Sequence, residues 1–534
     1  MPAYAARARG CGKLISFRFG RSPKMYVNNR WKAAPFAALL AALIPLSAGA
    51  DDKPQSVEEF LGPNHTARLQ AESLASSHPV PRGPSAVDRF RFWNQIAVDA
   101  SGRDHTPVAP GESRVFGEQL GPGRSSRAMA IVHIAIYDAV NAVEGGYESY
   151  TRIPRARAGA SVDAAIAQAA HDTLIAVFKS QAPLFDSLLA EDLARIPASR
   201  LAKDRGIATG HAAAAAILAL RQGDGADHPE PRMGTDYVPG LAPGVWRQDP
   251  ISQSPIALGA HWGEVKPFVI QSTSQFRVPP PPAMTSAAYT AAYDEVKSLG
   301  DDGLGTPTER TDEQTAIGIF WAYDGTPSLC APPRLYNQLA STVSGRLTDL
   351  GQLVRLFALV NVAMADAGTA IWESKYHYNF WRPVTGIREA DPATGPSGLG
   401  DGNGATNGDP NFSPLGAPAS NLQGPNFTPP FPSYPSGHAG FGGALFQILR
   451  SFYGRDRVAF TFTSDEFNGT TVGNDGVVRP LQPRTFQSFA QAEEENGQSR
   501  IYLGIHWSFD KTKGIAQGRQ VADYVYRHAF RPTR

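Results

Sequence analysis

Three short stretches in the last third of this 534-residue chain concentrate side chains that bind anions and move protons. The first runs Lys375-Tyr-His-Tyr-Asn-Phe-Trp-Arg382-Pro383. Lys375 and Arg382 stand seven positions apart, which sets both on one face, two turns apart, of a helix that Pro383 stops. Two cations on one face repel unless an anion sits between them. The aromatics Tyr376, Tyr378, Phe380 and Trp381 favour burial over a solvated basic face. The second stretch is Pro430-Phe-Pro-Ser-Tyr-Pro-Ser436-Gly437-His438-Ala-Gly440. Its prolines hold the chain extended, and Ser436 can cap a helix from about His438 to Phe452. The first N–H groups of such a helix attract an anion, and His438 would exchange protons at its opening. Taken alone, this is also the pattern of an ordinary capped helix. The third stretch is Ser499-Arg500-Ile-Tyr-Leu-Gly504-Ile-His506-Trp-Ser-Phe-Asp510. On a helix, Asp510 at i+4 fixes the His506 tautomer and leaves the other ring nitrogen free as ligand or nucleophile. Gly504 would leave space beside the imidazole. A structural His–Asp pair on a surface helix is the plainer reading.

In order, K-x6-RP, PSGH and SR-x3-G-x-H-x3-D form a set that resembles the vanadium-dependent haloperoxidases and the acid phosphatases that share their anion site. The match is complete over residues 375–510. It extends more weakly to Trp93-Asn94-Gln95, to His133–Ala142 and to Trp321-Ala-Tyr-Asp324-Gly325. The resemblance implies that Lys375, Arg382 and Arg500 bind the equatorial oxygens of an oxyanion, with the Ser436 hydroxyl and the Gly437 N–H completing the cradle. It implies a vanadate cofactor bonded to His506, with phosphate as a competitor. His438 would hydrogen-bond the apical oxygen, Lys375 would polarise a peroxide oxygen, and vanadate(V) would act as a Lewis acid in transferring it to halide. The partners so implied are hydrogen peroxide and halide, with an organic acceptor as a further partner. In a phosphatase the same groups recombine: His506 is the nucleophile that becomes phosphohistidine, Asp510 orients it, and His438 protonates the leaving alcohol. A non-catalytic oxyanion-binding protein would show binding without turnover. Trp372 and Phe431 match aromatic positions that line the halide pocket of chloroperoxidase-like members, though simple core packing accounts for them equally well. Asp324 is a candidate partner for His438.

Helical periodicity supplies the elements that must position these residues. Segments beginning at Trp93 and spanning Ser125–Val143, Ser161–Lys179, Leu201–Arg221, Thr285–Leu299, Asp312–Ala322 and Ser344–Tyr378 all carry it. Strand alternation is scarce; Thr461–Phe467 and Thr470–Arg479 suggest one short hairpin turned at Asn468-Gly469. Gly223–Pro282 and Ala390–Pro435 read as long Gly/Pro-rich loops, and the DGNG run within the second as turn chemistry rather than a calcium site. The expected fold is all-α, two helical bundles packed as one large unit, with residues 51–340 as the N-terminal half and 341–534 as the half that carries the anion site.

Composition is globular, 42% hydrophobic and 19% charged, and the net charge of +1 argues against a nucleic-acid binder. That neutrality hides an asymmetry. Residues 1–50 hold eight bases and no acid, followed from Ala33 to Leu46 by 14 uncharged, mostly apolar residues and then Ser-Ala-Gly-Ala. This is the layout of a secretory leader, with Met25 as an alternative start, and it is too short for a membrane span. Its removal leaves 42 bases against 49 acids, net −7, in a protein expected to be secreted or periplasmic without a stable span. Cys11 leaves with the leader, and Cys330 then stands alone as a buried or half-buried thiol.

Overall fold

The computed structural model describes residues 53–68, 79–81, 83 and 85–533, so the expected leader, Met25 and Cys11 lie outside the described residues. In chain order the helices are α1 (Val57–Leu61), α2 (Ala86–Asp104), α3 (Gly121–Glu144), α4 (Val162–Val177), α5 (Ala182–Arg195), α6 (Arg200–Arg221) and α7 (Ala287–Gly300). They continue with α8 (Asp312–Phe320), α9 (Pro332–Val343), α10 (Leu350–Tyr378), α11 (Pro383–Arg388), α12 (Gly437–Tyr453), α13 (Phe489–Tyr502) and α14 (Ser508–His528). Strand content among the described residues is two small antiparallel pairs. β1 (Thr66–Ala67) pairs with β2 (Leu422–Gln423), and β3 (Phe460–Phe462) with β4 (Arg484–Phe486). The chain is mainly helical, as expected.

Helix α10 is the axis of the core. It packs on α3, α12 and α14, while α3, α4 and α6 pack on one another. It is the one helix among the described residues long and apolar enough to cross a membrane, and its apolar window is entirely buried. Its two interior charges are answered locally: Asp366 accepts the N–H groups of Phe268, Val269 and Ile270, and Arg355 donates to the Phe530 carbonyl. Helix α9 spans position 340/341 and packs against α2 and α3 as well as α10 and α12.

The pair α12–α14 sets the site's framework by close backbone approach. A Cβ on Gly518 would lie 2.0 Å from the Gly440 carbonyl oxygen, and one on Gly514 would lie 2.6 Å from that of Ser436. Only glycine lets these helices meet so closely that Ser436 at the start of α12 abuts the start of α14, where its N–H donates to the Asp510 carbonyl at 3.1 Å.

Two helices, α5 and α9, are not marked by the sequence periodicity; Pro183 and Pro332-Pro333 occupy their first-turn positions, where no N–H is needed. Three local expectations differ from the structure. The partner of the 460–462 strand is Arg484–Phe486, not Thr470–Arg479, so the connection is a long one instead of a tight Asn-Gly turn. Helix α10 stops at Tyr378, with Asn379 in the left-handed region (φ 48°), so Lys375 and Arg382 do not share a helix face. Finally, α13 ends at Tyr502, and His506 lies in the turn before α14 rather than on a helix. Gly504 makes that turn (φ 71°), and a Cβ there would sit 2.3 Å from the Gly300 carbonyl; its smallness serves that contact, not the imidazole. Cys330 is buried, its thiol 2.9 Å from Ser101 Oγ.

Candidate active site

Five elements bring the three sequence clusters together. Lys375 comes from the last turn of α10, Arg382 is the N-cap residue of α11, and Ser436 is the N-cap of α12, its hydroxyl accepting the Ala439 N–H at 3.4 Å. Arg500 comes from the end of α13, while Asp510 lies in the first turn of α14. A pocket opens among them, lined on its polar side by Gly437, His438, Arg500 and His506 and on its apolar side by Trp372 and Phe431.

The three cations are 0–1% exposed. Lys375 Nζ donates to the carbonyls of Pro432 (2.8 Å) and Ser433 (2.9 Å) and stands 5.0 Å from the Phe431 ring centre. Arg382 places its guanidinium 4.9 Å from the same ring and donates to the carbonyls of Phe431, Ile505 and Pro429. Its Nη1 also donates to His506 Nε2 at 2.9 Å. Arg500 Nη2 bonds both oxygens of Asp324 at 2.7 and 2.8 Å. Burial, then the neighbouring Arg382, pulls the Lys375 ammonium well below its ordinary range. Burial also lowers Arg382, to about 9, with Arg500 adding to the effect against the opposing pull of Asp510. The cluster works against its own positive charge, the electrostatic condition that favours an anion.

His506 is oriented from behind. Its Nδ1–H donates to Asp510 Oδ2 at 2.8 Å, and the same oxygen accepts the Ser433 hydroxyl and the Trp507 N–H. Nε2 therefore carries the lone pair, consistent with its acceptance of an Arg382 N–H. Burial and the three cations push His506 well below the usual imidazole range, so it is neutral near pH 7. Burial raises Asp510 to about 6, a shift the Ser433 hydrogen bond opposes.

His438 departs from the expected partnership. Its Nε2 bonds the Ala322 carbonyl, whereas Asp324 Oδ1 is 3.9 Å away, too far for a hydrogen bond. The turn after α8, with Tyr323 and Gly325 at positive φ, aims the Ala322 carbonyl at His438 and the Asp324 carboxylate at Arg500. Bonded to a carbonyl, Nε2 must carry the proton, which leaves the lone pair on Nδ1. Burial, with Arg500 next, holds this ring neutral as well. Ser433, the Trp507 amide and the Ala322 carbonyl were not assigned roles from sequence. Ser433 lies within the second cluster, but only its position across from Asp510 in space reveals its task. Trp372 and Phe431 pack 4.9 Å apart as one wall of the pocket.

An oxyanion fits this donor set. Arg500 Nε and Nη1 are buried with no hydrogen-bond partner, two donors in a residue that lines the pocket. The helical scaffold thus sets a buried, cation-rich cluster against an Asp-oriented histidine. Comparison with known proteins sharpens this. Residues 355–534 match the VCPO second helical-bundle domain. The vanadium chloroperoxidase of Curvularia inaequalis is 29% identical over 499 residues, 78% of each chain. The fold is shared with the first bacterial vanadium-dependent iodoperoxidase (TM-score 0.64, 23% identity, 86% of this chain and 99% of that one). It is also shared with a holo-type bacterial vanadium-dependent chloroperoxidase (TM-score 0.58, 18% identity, 79% and 94%). Residues 355–534 thus match a domain of the vanadium chloroperoxidase type, and the chain shares its fold with vanadium-dependent haloperoxidases.

Proposed function

We infer that this protein is a vanadate-dependent haloperoxidase that oxidises halide with hydrogen peroxide to hypohalous acid or a halogenated product. The observation that carries this reading is Arg500, with two unpartnered donors beside a neutral histidine whose tautomer Asp510 fixes. Lys375, Arg382 and Arg500, with Ser436 Oγ and the Gly437 N–H, would hold vanadate through its oxygens, and His506 Nε2 would be its protein ligand once released by Arg382. Bound vanadate supplies Lewis acidity that activates peroxide without a change of redox state. The protein's own part is then positional and protonic. His438 Nδ1, unprotonated at neutral pH, accepts a proton from incoming peroxide, and the Ala322 carbonyl keeps the ring from turning. Lys375 offers a preorganised positive charge where negative charge develops. The Trp372–Phe431 wall gives a polarisable, water-poor surface suited to halide and without a donor for the polar group of a phosphate ester. Phosphate, with the same oxygen geometry, competes for the cradle. Residues 1–50 support export of the mature chain, with residues 51–340 and 341–534 as its two halves.

The test is purified protein with and without orthovanadate, assayed for peroxide-dependent halogenation and for phosphate-ester hydrolysis. Halogenation should require vanadate, and His506→Ala should abolish it, a loss of at least about 10³-fold for removal of the sole protein ligand. Ester hydrolysis through a phosphohistidine, with no halogenation, would establish the phosphatase instead.

A further inference from the structure

His438 and Arg500 both take a partner from one turn, Ala322–Gly325, and that turn is held by a side chain outside the site. The Ala322 carbonyl meets His438 Nε2, and the Asp324 carboxylate takes two hydrogen bonds from Arg500 Nη2 at 2.7 and 2.8 Å. Between them in sequence stands Tyr323, fully buried, with its backbone in the left-handed region at φ 50°. A tyrosine keeps that conformation only where its surroundings over-determine it.

Those surroundings are a closed ring of hydrogen bonds. Tyr323 Oη donates to Gln338 Oε1 at 2.9 Å, Gln338 Nε2 donates to Asp465 Oδ2 at 2.9 Å, and the Asp465 N–H donates back to Tyr323 Oη at 2.7 Å. Every donor in the ring has an acceptor, so the tyrosine hydroxyl and the Gln338 amide fix each other's orientation. The ring ties the turn to two further elements, because Gln338 lies on α9 and Asp465 opens the short helical turn Asp465–Phe467. Both anchors are braced in turn. Arg334, four residues earlier on α9, pairs with the Asp465 carboxylate and donates from Nε to the Val98 carbonyl at 3.1 Å. Ser464 Oγ donates to the Phe320 carbonyl, at the end of α8, at 2.7 Å.

We propose that Tyr323 is a positioning residue for His438, acting through the peptide it shares with Ala322. The Ala322 carbonyl and the Tyr323 N–H lie in one rigid plane, and rotation about the Tyr323 N–Cα bond turns that plane against the anchored side chain. Held at φ 50°, the plane presents its oxygen to His438 Nε2, which keeps the proton there and leaves the lone pair on Nδ1. Relaxed toward negative φ, it carries the oxygen away, and the imidazole loses its preference for one tautomer. The consequence for peroxide rests on the haloperoxidase reading, in which Nδ1 is the atom that accepts the proton.

Tyr323→Phe keeps the aromatic ring and deletes only the hydroxyl. Nitrogen NMR of vanadate-free protein labelled at the histidine side chains reads the tautomer, with His438 identified by its absence from a His438→Gln spectrum. Wild type should show Nε2 protonated and Nδ1 bare, and in Tyr323→Phe the two His438 signals should move toward each other as the tautomers mix. His438 signals that stay in place overturn the proposal. Gln338→Met, which leaves the tyrosine and removes its acceptor, should shift them the same way by less, and it decides alone if Tyr323→Phe does not fold. In steady-state assays of the vanadate-loaded enzyme, Tyr323→Phe should lower kcat/KM for peroxide about tenfold, the worth of one hydrogen bond, with the bromide KM unmoved. An equal loss toward peroxide and bromide would make Tyr323 a general structural support and refute positioning. Mixed tautomers with unchanged kinetics refute its part in the reaction. A wild-type enzyme that oxidises no halide refutes the haloperoxidase reading, while the NMR spectra still decide whether Tyr323 sets the His438 tautomer.

Discussion

His506 can serve as a ligand only while its proton stays on Nδ1, and that depends on a carboxylate three donors deep in hydrogen bonds. Ser433 is the least obvious of the three, and its effect has a definite sign. The hydroxyl bond favours the ionised form of Asp510 and so holds its pKa down, against burial, at about 6. Ser433→Ala removes that support, and Asp510 takes up its proton at higher pH. Below that point the carboxyl no longer accepts the His506 Nδ1–H as an anion, and the tautomer is released. The acid limb of the kcat/KM profile should therefore move upward by about one pH unit, the equivalent of one hydrogen bond to a charged group. Vanadate affinity should weaken over the same interval, with little change well above it. A profile that superimposes on wild type would show Ser433 to be filler. Sequence exposed the ionic members of this site because lysine, arginine and histidine at fixed spacings are rare. It did not expose Ser433 or the Ala322 carbonyl, since a serine among prolines and a backbone oxygen carry no pattern. For the same reason His438 was paired with Asp324: the carboxylate is visible in sequence and the carbonyl two residues earlier is not.

Helices are legible in the sequence where amphipathic periodicity is long, as in α3, α6 and α10, and obscure where proline stands in the first turn, as in α5 and α9. The convergence of α10–α14 on one site was not legible at all. The spacing of Lys375 and Arg382 suggests one shared helix face, yet they meet because α10 stops at Tyr378 and Arg382, four residues on, is the N-cap of α11. His506 was expected on a helix, yet it sits in a turn that Gly504 makes. In both cases i+4 or i+7 spacing points to the right residues through the wrong local geometry. The close crossing of α12 and α14 matters most for alignment, because one helix starts at Ser436 and the other delivers Asp510. Gly518→Ala places a methyl 2.0 Å from the Gly440 carbonyl, a contact with backbone that no side-chain rotation relieves. The helices must separate, at a cost of roughly 1–3 kcal/mol in unfolding free energy. Since Gly518 lies more than a turn from any cradle residue, a lowered denaturant midpoint accompanied by weaker vanadate binding would show that the crossing itself sets the cradle. Lowered stability with undiminished affinity would show that it does not.

Residues 51–534, with 42 bases against 49 acids, are acidic by composition yet enclose three buried cations, with Asp324 and Asp510 as the carboxylates nearest them. Three cations thus face two acids, and burial raises both carboxyls. The folded protein thus retains an uncompensated electrostatic cost at its centre, the kind tolerated for function rather than for stability. An oxyanion that binds only the folded state removes part of that cost and stabilises by mass action. Orthovanadate at about 100 times its dissociation constant contributes about 2.7 kcal/mol. For a chain of this size, with an unfolding entropy near 2.1 cal/mol/K per residue, that is a rise of about 2–3 °C in Tm. Phosphate should produce the same shift at higher concentration, because it shares the oxygens but gains less from His506. Arg500→Met should lose most of the response to either anion, since it removes the two donors that no protein group satisfies, while Asp324 is left facing a neutral side chain. Thermal scans of wild type and variant against both anions read this directly. Equal shifts in the two proteins would mean that the anion binds elsewhere and that the convergence of Lys375, Arg382 and Arg500 is a structural feature of the bundle.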